Sequence, residues 1–327
     1  MNFIRAIRML LLITVIGWSC RQASAQFVVG RYAGEFLSLG AGAKALAMGG
    51  ASVGLPTPST AAYYNPSALT GIEQRHVEFM HASQFDNLYT YDYLAFAQPM
   101  QNGYAGAITV LYTRVGGIPM TKLADPNQPL SDANRVILDK ETGDHELALM
   151  AATARQFGEH WRVGANAKVL YKTVAEESAY GLGFDFGVGR SVGKNVEIGL
   201  AARDITTSVL AWSTGRTEAI LPSVAIGGAW SFALNALNAD VTLAADLDNH
   251  FESRGAAETV EAGPLSTEPR VGMEYLIAKT VALRGGMNGE HPAFGAGLHF
   301  AWLDVNAAFQ DHQDLGFTHR ISLGIVW

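Results

Sequence analysis

Residues 161–172, WRVGANAKVLYK, decide the fold. In an extended chain, successive side chains point to opposite faces. Trp161, Val163, Ala165, Ala167, Val169 and Tyr171 then share one face, and Arg162, Gly164, Asn166, Lys168, Leu170 and Lys172 share the other. A helix would mix these two sets; only a strand separates an apolar row from a largely polar one. The pattern recurs. Tyr180, Leu182, Phe184, Phe186 and Val188 alternate with Gly181, Gly183, Asp185 and Gly187, and Leu303, Val305, Ala307 and Phe309 alternate with Asp304, Asn306, Ala308 and Gln310. An apolar face that suits lipid, opposite a face that suits a wet lumen, is the pattern of a transmembrane β-barrel.

Working outward from 161–172, the alternation predicts fourteen strands: 76–85, 90–98, 103–114, 145–157, 160–172, 179–191, 194–204, 220–232, 238–249, 268–276, 280–288, 293–302, 303–311 and 316–327. The connections carry a separate signal. Those after even-numbered strands are short, such as Gly158-Glu159 and Val192-Gly193, while the long ones, 115–144, 173–178, 205–219 and 250–267, follow odd-numbered strands. Short periplasmic turns facing longer external loops are expected of an outer-membrane barrel. The expected fold class is therefore all-β, a transmembrane antiparallel barrel in the bacterial outer membrane, with lipids as its surroundings. Trp161, Tyr171, Tyr180, Trp230, Phe300, Trp302 and Trp327 fall where interfacial girdles would lie.

The ends support export and insertion. Arg5 and Arg8 precede the apolar stretch Met9–Trp18, and Ala23-Ser24-Ala25 offers small residues for cleavage, so 1–25 read as a signal peptide. In the last strand Ile321, Leu323, Ile325 and Trp327 share a face, resembling the C-terminal signal read by the barrel-assembly machinery. Cys20, the only cysteine, lies in the signal, which excludes disulfides, a Cys-ligated zinc site and thiol chemistry from the mature chain. Losing Arg5, Arg8 and Arg21 leaves 20 basic against 30 acidic residues, a net charge of −10 that disfavours nucleic acid.

Residues 26–75 break the alternation. The stretch 38–54, SLGAGAKALAMGGASVG, is small and nearly uncharged; Ala41–Met48 predicts a short helix ended by Gly49-Gly50, and Tyr63-Tyr64-Asn65-Pro66 a turn. Such a segment could fold into the barrel as a plug; a subdomain at the periplasmic mouth is the alternative. The barrel proper would then be 76–327. Arg203, Arg270, Glu274, Arg284 and Arg320, with other ionisable residues such as Asp246, fall on inward faces. Charges there must be paired or wetted. They read as a lumenal salt-bridge network holding the plug, or as a charged track for a polar solute.

No enzyme constellation, cofactor site or metal site emerges. Gly181-Leu182-Gly183 with Gly187 and Gly189 lies in a strand with no helix after it, so it is not a phosphate loop. Asp311, His312, Asp314 and His319 read as a solvated loop rather than a metal site.

Gly42-Ala43-Lys44-Ala45-Leu46-Ala47-Met48-Gly49-Gly50-Ala51 and Ala61-Ala62-Tyr63-Tyr64-Asn65-Pro66-Ser67-Ala68-Leu69 resemble the N-terminal hallmark of the PorV/PorQ family, barrels related to FadL-type transporters. Arg270–Tyr275, Ala282–Gly286, Phe294–Leu298 and Asp314–Gly324 resemble it too. Within the resemblance, Gly42, Met48, Gly49, Gly50, Tyr64, Asn65 and Pro66 form the plug motif. The resemblance implies an interaction component of type IX secretion, which binds exported proteins or partner subunits through external loops. Loops 115–144, 205–219 and 250–267 are the candidate surfaces. The FadL connection implies the alternative, a transporter of hydrophobic small molecules with a mostly apolar cavity beside the plug.

Overall fold

The computed structural model describes residues 27–29, 33–55, 57–84, 88–254, 259–312 and 316–327. The expected signal peptide lies outside them. Fourteen strands form the wall: β1 His76–Gln84, β2 Tyr89–Pro99, β3 Tyr104–Leu123, β4 Val136–Phe157, β5 Trp161–Val174, β6 Glu177–Val192, β7 Val196–Arg203, β8 Ser223–Leu234, β9 Ala239–His250, β10 Leu265–Ile277, β11 Val281–Asn288, β12 His291–His299, β13 Leu303–His312 and β14 Gly316–Val326. Each pairs antiparallel with its neighbours in sequence order, and β14 returns to β1, from His319 opposite Ser83 to Val326 opposite His76. The barrel is closed. Closure leaves no edge of unpaired N–H and C=O groups, which lipid would not tolerate.

The period-two reading carries into burial. On β6 Leu182, Phe184 and Phe186 are exposed, while Gly181, Gly183, Asp185 and Gly187 are buried. Aromatic side chains mark the rims. Phe157, Trp161, Trp230, Trp302 and Trp327 sit exposed near the periplasmic ends of the strands, and the Tyr171 and Tyr180 rings pack with centroids 4.9 Å apart, tilted by 42°, near the external side. These positions suit girdles where indole and phenol rings meet both chain and water.

Twelve of the fourteen sequence-derived strands match the observed ones to within three residues at each end, whereas β3 and β4 run further out than the alternation showed. Pairing of β3 with β2 ends at Val115 opposite Tyr89, and pairing of β4 with β5 ends at Asp144 opposite Val174. Beyond these points β3 and β4 pair only with each other, as far as Leu123 opposite Val136, with register shifts after Val115 and Met120. The supposed loop 115–144 is thus largely a two-stranded arm. Residues 205–219, also expected as loop, contain the strand pair Ser208–Trp212 and Thr217–Ile220, which continues the β7–β8 hairpin past a bulge.

The described residues before β1 contain two short α-helices, α1 Ala43–Ala47 and α2 Ala61–Tyr64, with turns and 3-10 segments around them. Their partners are spread around the wall. α1 lies against β12, β13 and β14, and the turn Pro66–Gly71 lies against β4, β5 and β6. A segment that touches strands on opposite sides of a closed barrel occupies its lumen. The wall opposite 61–72 is lined with Ala97, Ala105, Ala107, Ala152 and Ala154, all buried with Ala61, Ala62, Ala68, Leu69 and Ile72. Small wall side chains leave room for the inner segment.

Phe184 faces outward midway between the Tyr180 and Trp161 levels, opposite Ala167 on β5. Phe184→Arg is expected to cost about 2–4 kcal/mol, the range for a cationic side chain at the bilayer midplane. Urea unfolding in lipid vesicles measures it, with the rim substitution Tyr180→Arg expected to cost less.

Candidate functional site

The inner segment is not a strand, so its backbone polar groups need other partners. Polar wall and turn side chains supply several. Asp246 Oδ2 on β9 accepts from the backbone N–H groups of Ser52, at 2.6 Å, and Val53, at 2.8 Å. Hydrogen bonds to a charged acceptor contribute about 1.5–3 kcal/mol each, so Asp246 is a principal anchor. Asn65 Nδ2 donates to the carbonyls of Val53 and Val188, and Asn166 Nδ2 on β5 donates to that of Ala62. Arg320 on β14 donates to the carbonyls of Leu39 and Gly40, and Tyr91 on β2 also donates to that of Gly40.

The residues of the plug motif fall in this tightly packed region. Gly42 precedes α1 with φ of 79°, and Gly49 and Gly50 follow Met48 with φ of 64° and 79°. Left-handed backbone there reverses the chain without a Cβ penalty. Tyr64 Oη accepts from Ala41 N–H, and Asn65 precedes Pro66 at the head of the next turn, where its Oδ1 accepts from Ser67 N–H. Burial pushes the Tyr63 and Tyr64 phenols up from the ordinary tyrosine value, so both stay neutral.

Glycine on the wall completes the seat. A Cβ on Gly272 or Gly286 would overlap the Met48 backbone, one on Gly199 the Val53 carbonyl, and one on Gly187 the Asn65 side chain. These positions are empty because the inner segment occupies the space.

The five inward charges divide by partner. Arg320 and Glu274 reach the inner segment, the latter through Lys44 at 3.0 Å. Arg203 and Arg270 both pair with Asp248 at 3.0 Å, from one wall strand to another. Arg284 pairs with Glu274 and donates to Asn306 at 2.7 Å. Some of the network therefore braces the wall itself. Asp246 and the wall glycines matter as much to seating as the five named charges. At the bulge after β7, Lys168 bridges Asp185 and Asp204 at 2.8 and 2.9 Å, all three buried. Ile321, Leu323, Ile325 and Trp327 line the exposed outer face of the last strand. Asp314 lies outside the described residues, as does the His312 side chain, so the Asp311–His319 cluster is only partly in view.

Among the described residues, an upper and a lower lumenal cavity border the inner segment. An upper one of about 430 Å³ lies toward the external ends of the strands. Leu37, Leu39, Tyr63, Ile220 and Leu221 line part of it, and Lys168, Asp185, Arg203, Asp248 and Arg270 another part, with Leu46, Gly49 and Gly50 below. A lower one of about 290 Å³ lies toward the periplasmic ends and is bounded by Lys44, Ala45, Ser52, Thr60, His76, Glu78, His299, Asp304 and Asn306. The α1–Gly50 stretch contributes to both linings and is called the septum below. The mostly apolar cavity expected for a transporter is replaced by a mixed one.

No family model matches the sequence, and no curated protein matches it. Solved structures do. The CymD monoaromatic hydrocarbon channel superposes with a TM-score of 0.60 at 12% identity, over 88% of this chain and 98% of that one. The Pseudomonas putida toluene transporter TodX gives 0.55 at 12% identity over 88% and 96%. A Pseudomonas aeruginosa FadL homologue gives 0.53 at 11% identity over 87% and 97%. The likeness is one of fold. It is that of FadL-type outer-membrane barrels, and with the apolar exterior it places the protein in the bacterial outer membrane.

Gly286→Ala puts a Cβ into the Met48–Gly49 backbone. Overpacking of this kind costs about 1–3 kcal/mol. The variant is expected to insert and pair its strands normally but to expose 40–55 to protease, read by limited proteolysis of the protein in detergent.

Proposed function

We propose that the protein is a FadL-like transporter that admits small molecules of hydrophobic character across the outer membrane. One observation carries the reading: two lumenal cavities share the 44–52 stretch, with Leu46, Gly49 and Gly50 lining the upper one and Lys44, Ala45 and Ser52 the lower. Ligand sites are concave and mostly pre-formed, and two cavities on either side of one short stretch outline a route with that stretch as its barrier. The fold likeness to hydrocarbon channels supports the same reading. The sequence resemblance implies secretion with transport as the alternative, and the cavities and the fold likeness support transport better.

The lining describes the cargo. Leu37, Leu39, Ile220 and the Tyr63 ring accept an apolar body, while Arg203 and Arg270 offer polar contact a few residues away. A molecule with a hydrophobic body and at least one polar group matches both surfaces. The inner segment 33–75 acts as the hatch, and the charges at Arg320 and Glu274 hold it shut.

The β3–β4 arm favours a second role for the external side. It stands clear of the barrel, and its tip is fastened by Asn134, whose Nδ2 donates to the carbonyls of Asp125 and Gln128 at 2.9 and 2.8 Å. A rigid projecting loop suits contact with another protein, which is where a secretion partner or an exported protein would bind.

Cells lacking the gene are expected to take up radiolabelled toluene or oleate several-fold more slowly than complemented cells. Equal rates for both probes would remove the transport reading. Recovery of exported proteins by the intact protein, lost on trimming 118–141, would support the arm as a docking element.

A further inference from the structure

We infer that His299 is the pH-sensitive member of a latch that clamps the septum to the wall. The inference rests on α1–Gly50 being the barrier between the two cavities. Lys44 is the single charged residue between Glu35 and Glu73, so α1 has one ionic hold on the barrel. Its ammonium donates to Glu274 Oε1 on β10 at 3.0 Å, and Glu274 Oε2 accepts from Arg284 Nε on β11. Arg284 then donates through Nη1 to Asn306 on β13 at 2.7 Å and through Nη2 to His299 Nε2 on β12 at 2.9 Å. His299 Nδ1 closes the chain on Asp304 Oδ1 at 2.7 Å.

The donor inventory dictates the state of the imidazole. A guanidinium in a protein donates only and does not lose its proton. His299 Nε2 must therefore accept, and the ring proton sits on Nδ1, donated to Asp304. A second proton on the ring would turn Nε2 into a donor aimed at another donor, and would place two cations 2.9 Å apart. Asp304 would welcome that imidazolium; Arg284 would not. The conflict resolves by separation. Arg284 then loses one of its three anchors, and Glu274, which holds Lys44, loses its fixed seat.

The room for this arrangement is built in. A Cβ on Gly297 would meet Asn306 Oδ1 and Arg284 Nη1, so glycine there leaves the guanidinium its place. The groups that face His299 come from every surrounding element: Arg284 and Glu274 from β11 and β10, Asp304 and Asn306 from β13, Lys44 from α1, and His76 and Glu78 from β1 across the lower cavity. Of these, His76 is the other side chain of a type that changes charge between pH 5 and 8, and it needs its own control. α1 is five residues long. A helix so short has no independent stability in water, so once its single ion pair loosens only packing against the wall glycines holds it, and local opening becomes more frequent.

Hydrogen exchange of the intact protein in lipid vesicles tests the latch without any cargo. After correction for intrinsic exchange, protection of amides 43–50 is expected to fall at least tenfold from pH 8 to pH 5, while strand amides on β4–β6 hold theirs. In His299→Gln the amide oxygen accepts from Arg284 and the amide nitrogen donates to Asp304, so protection should stay high at both pH values. His76→Gln should behave as wild type. Glu274→Gln should lower protection of 43–50 at both pH values, and His299→Asn serves if the glutamine variant does not insert. A wild type with no pH response in 43–50, or a His299→Gln protein that keeps the full response, would overturn the inference. Permeation of radiolabelled benzenesulfonate, an apolar ring whose fixed charge slows its passage through bare lipid, into the same vesicles reads the barrier separately. Lost protection at pH 5 without faster permeation would leave the latch standing and overturn the septum as the barrier.

Discussion

Everything in this structure depends on one requirement: inside hydrocarbon, each backbone N–H and C=O must find a partner within the protein. The pairing of β14 with β1 meets it for the wall. Closure then dictates the side-chain pattern, because a closed wall has one face to lipid and one to the lumen. The lumen is the harder problem. Fourteen strands enclose more space than ordinary side chains fill, and residues 33–75 enter it with little regular structure of their own. Their amides and carbonyls would be stranded there. Asp246, Asn65, Asn166, Tyr91 and Arg320 take up part of that demand.

The wall meets the inner segment in two ways, and the two have different consequences. Where glycine or alanine lines the wall, backbone approaches backbone, as at Gly272, Gly286 and Gly199. Contacts of this kind are dense and unspecific in charge, and they give a tight fit with no switch. Where a charged side chain lines the wall, the contact is a discrete bond that can be broken. Lys44–Glu274 is of that second kind. The septum is thus seated by shape and held by charge.

Much of the wall was legible because the alternation is imposed at every residue and a one-residue slip would put a whole strand's apolar row into the lumen. β3 and β4 show where this signal ends. Past Val115 and Asp144 the arm has no lipid on one side and no lumen on the other, so nothing enforces alternation and the stretch reads as loop. The inward charges were legible as a class, since ionisable residues on that face have to be paired. Their partners were not. Nothing local to Arg203 says that it shares Asp248 with Arg270, or that Asp246, two residues away, turns to amides of the inner segment. Those pairings are set by register across distant strands. The small-residue motif around Gly42–Ala51 resembled one family's hallmark, while the solved structures similar to this chain include hydrocarbon channels and a FadL homologue. The physical reason is visible at Met48 and Gly49. Small residues are demanded wherever a non-strand segment packs against a barrel wall, so the motif reports the architecture more directly than the task.

The chemistry of the two cavities follows from the same geometry. An apolar lumen would be simplest for a hydrocarbon, but the inner segment's backbone needs charged and amide partners from the wall, and those partners line whatever space is left over. The upper cavity is therefore polar along part of its lining, and greasy where Leu37, Leu39 and Ile220 cover it. Its charges are largely neutralised within the wall, Arg203 and Arg270 against Asp248 and Lys168 against Asp185 and Asp204. Internal neutralisation lowers the cost of displacing water by an apolar body, because the ions keep their partners when the water leaves. A lumen built to satisfy its inner segment thus stays compatible with the hydrophobic guest proposed above.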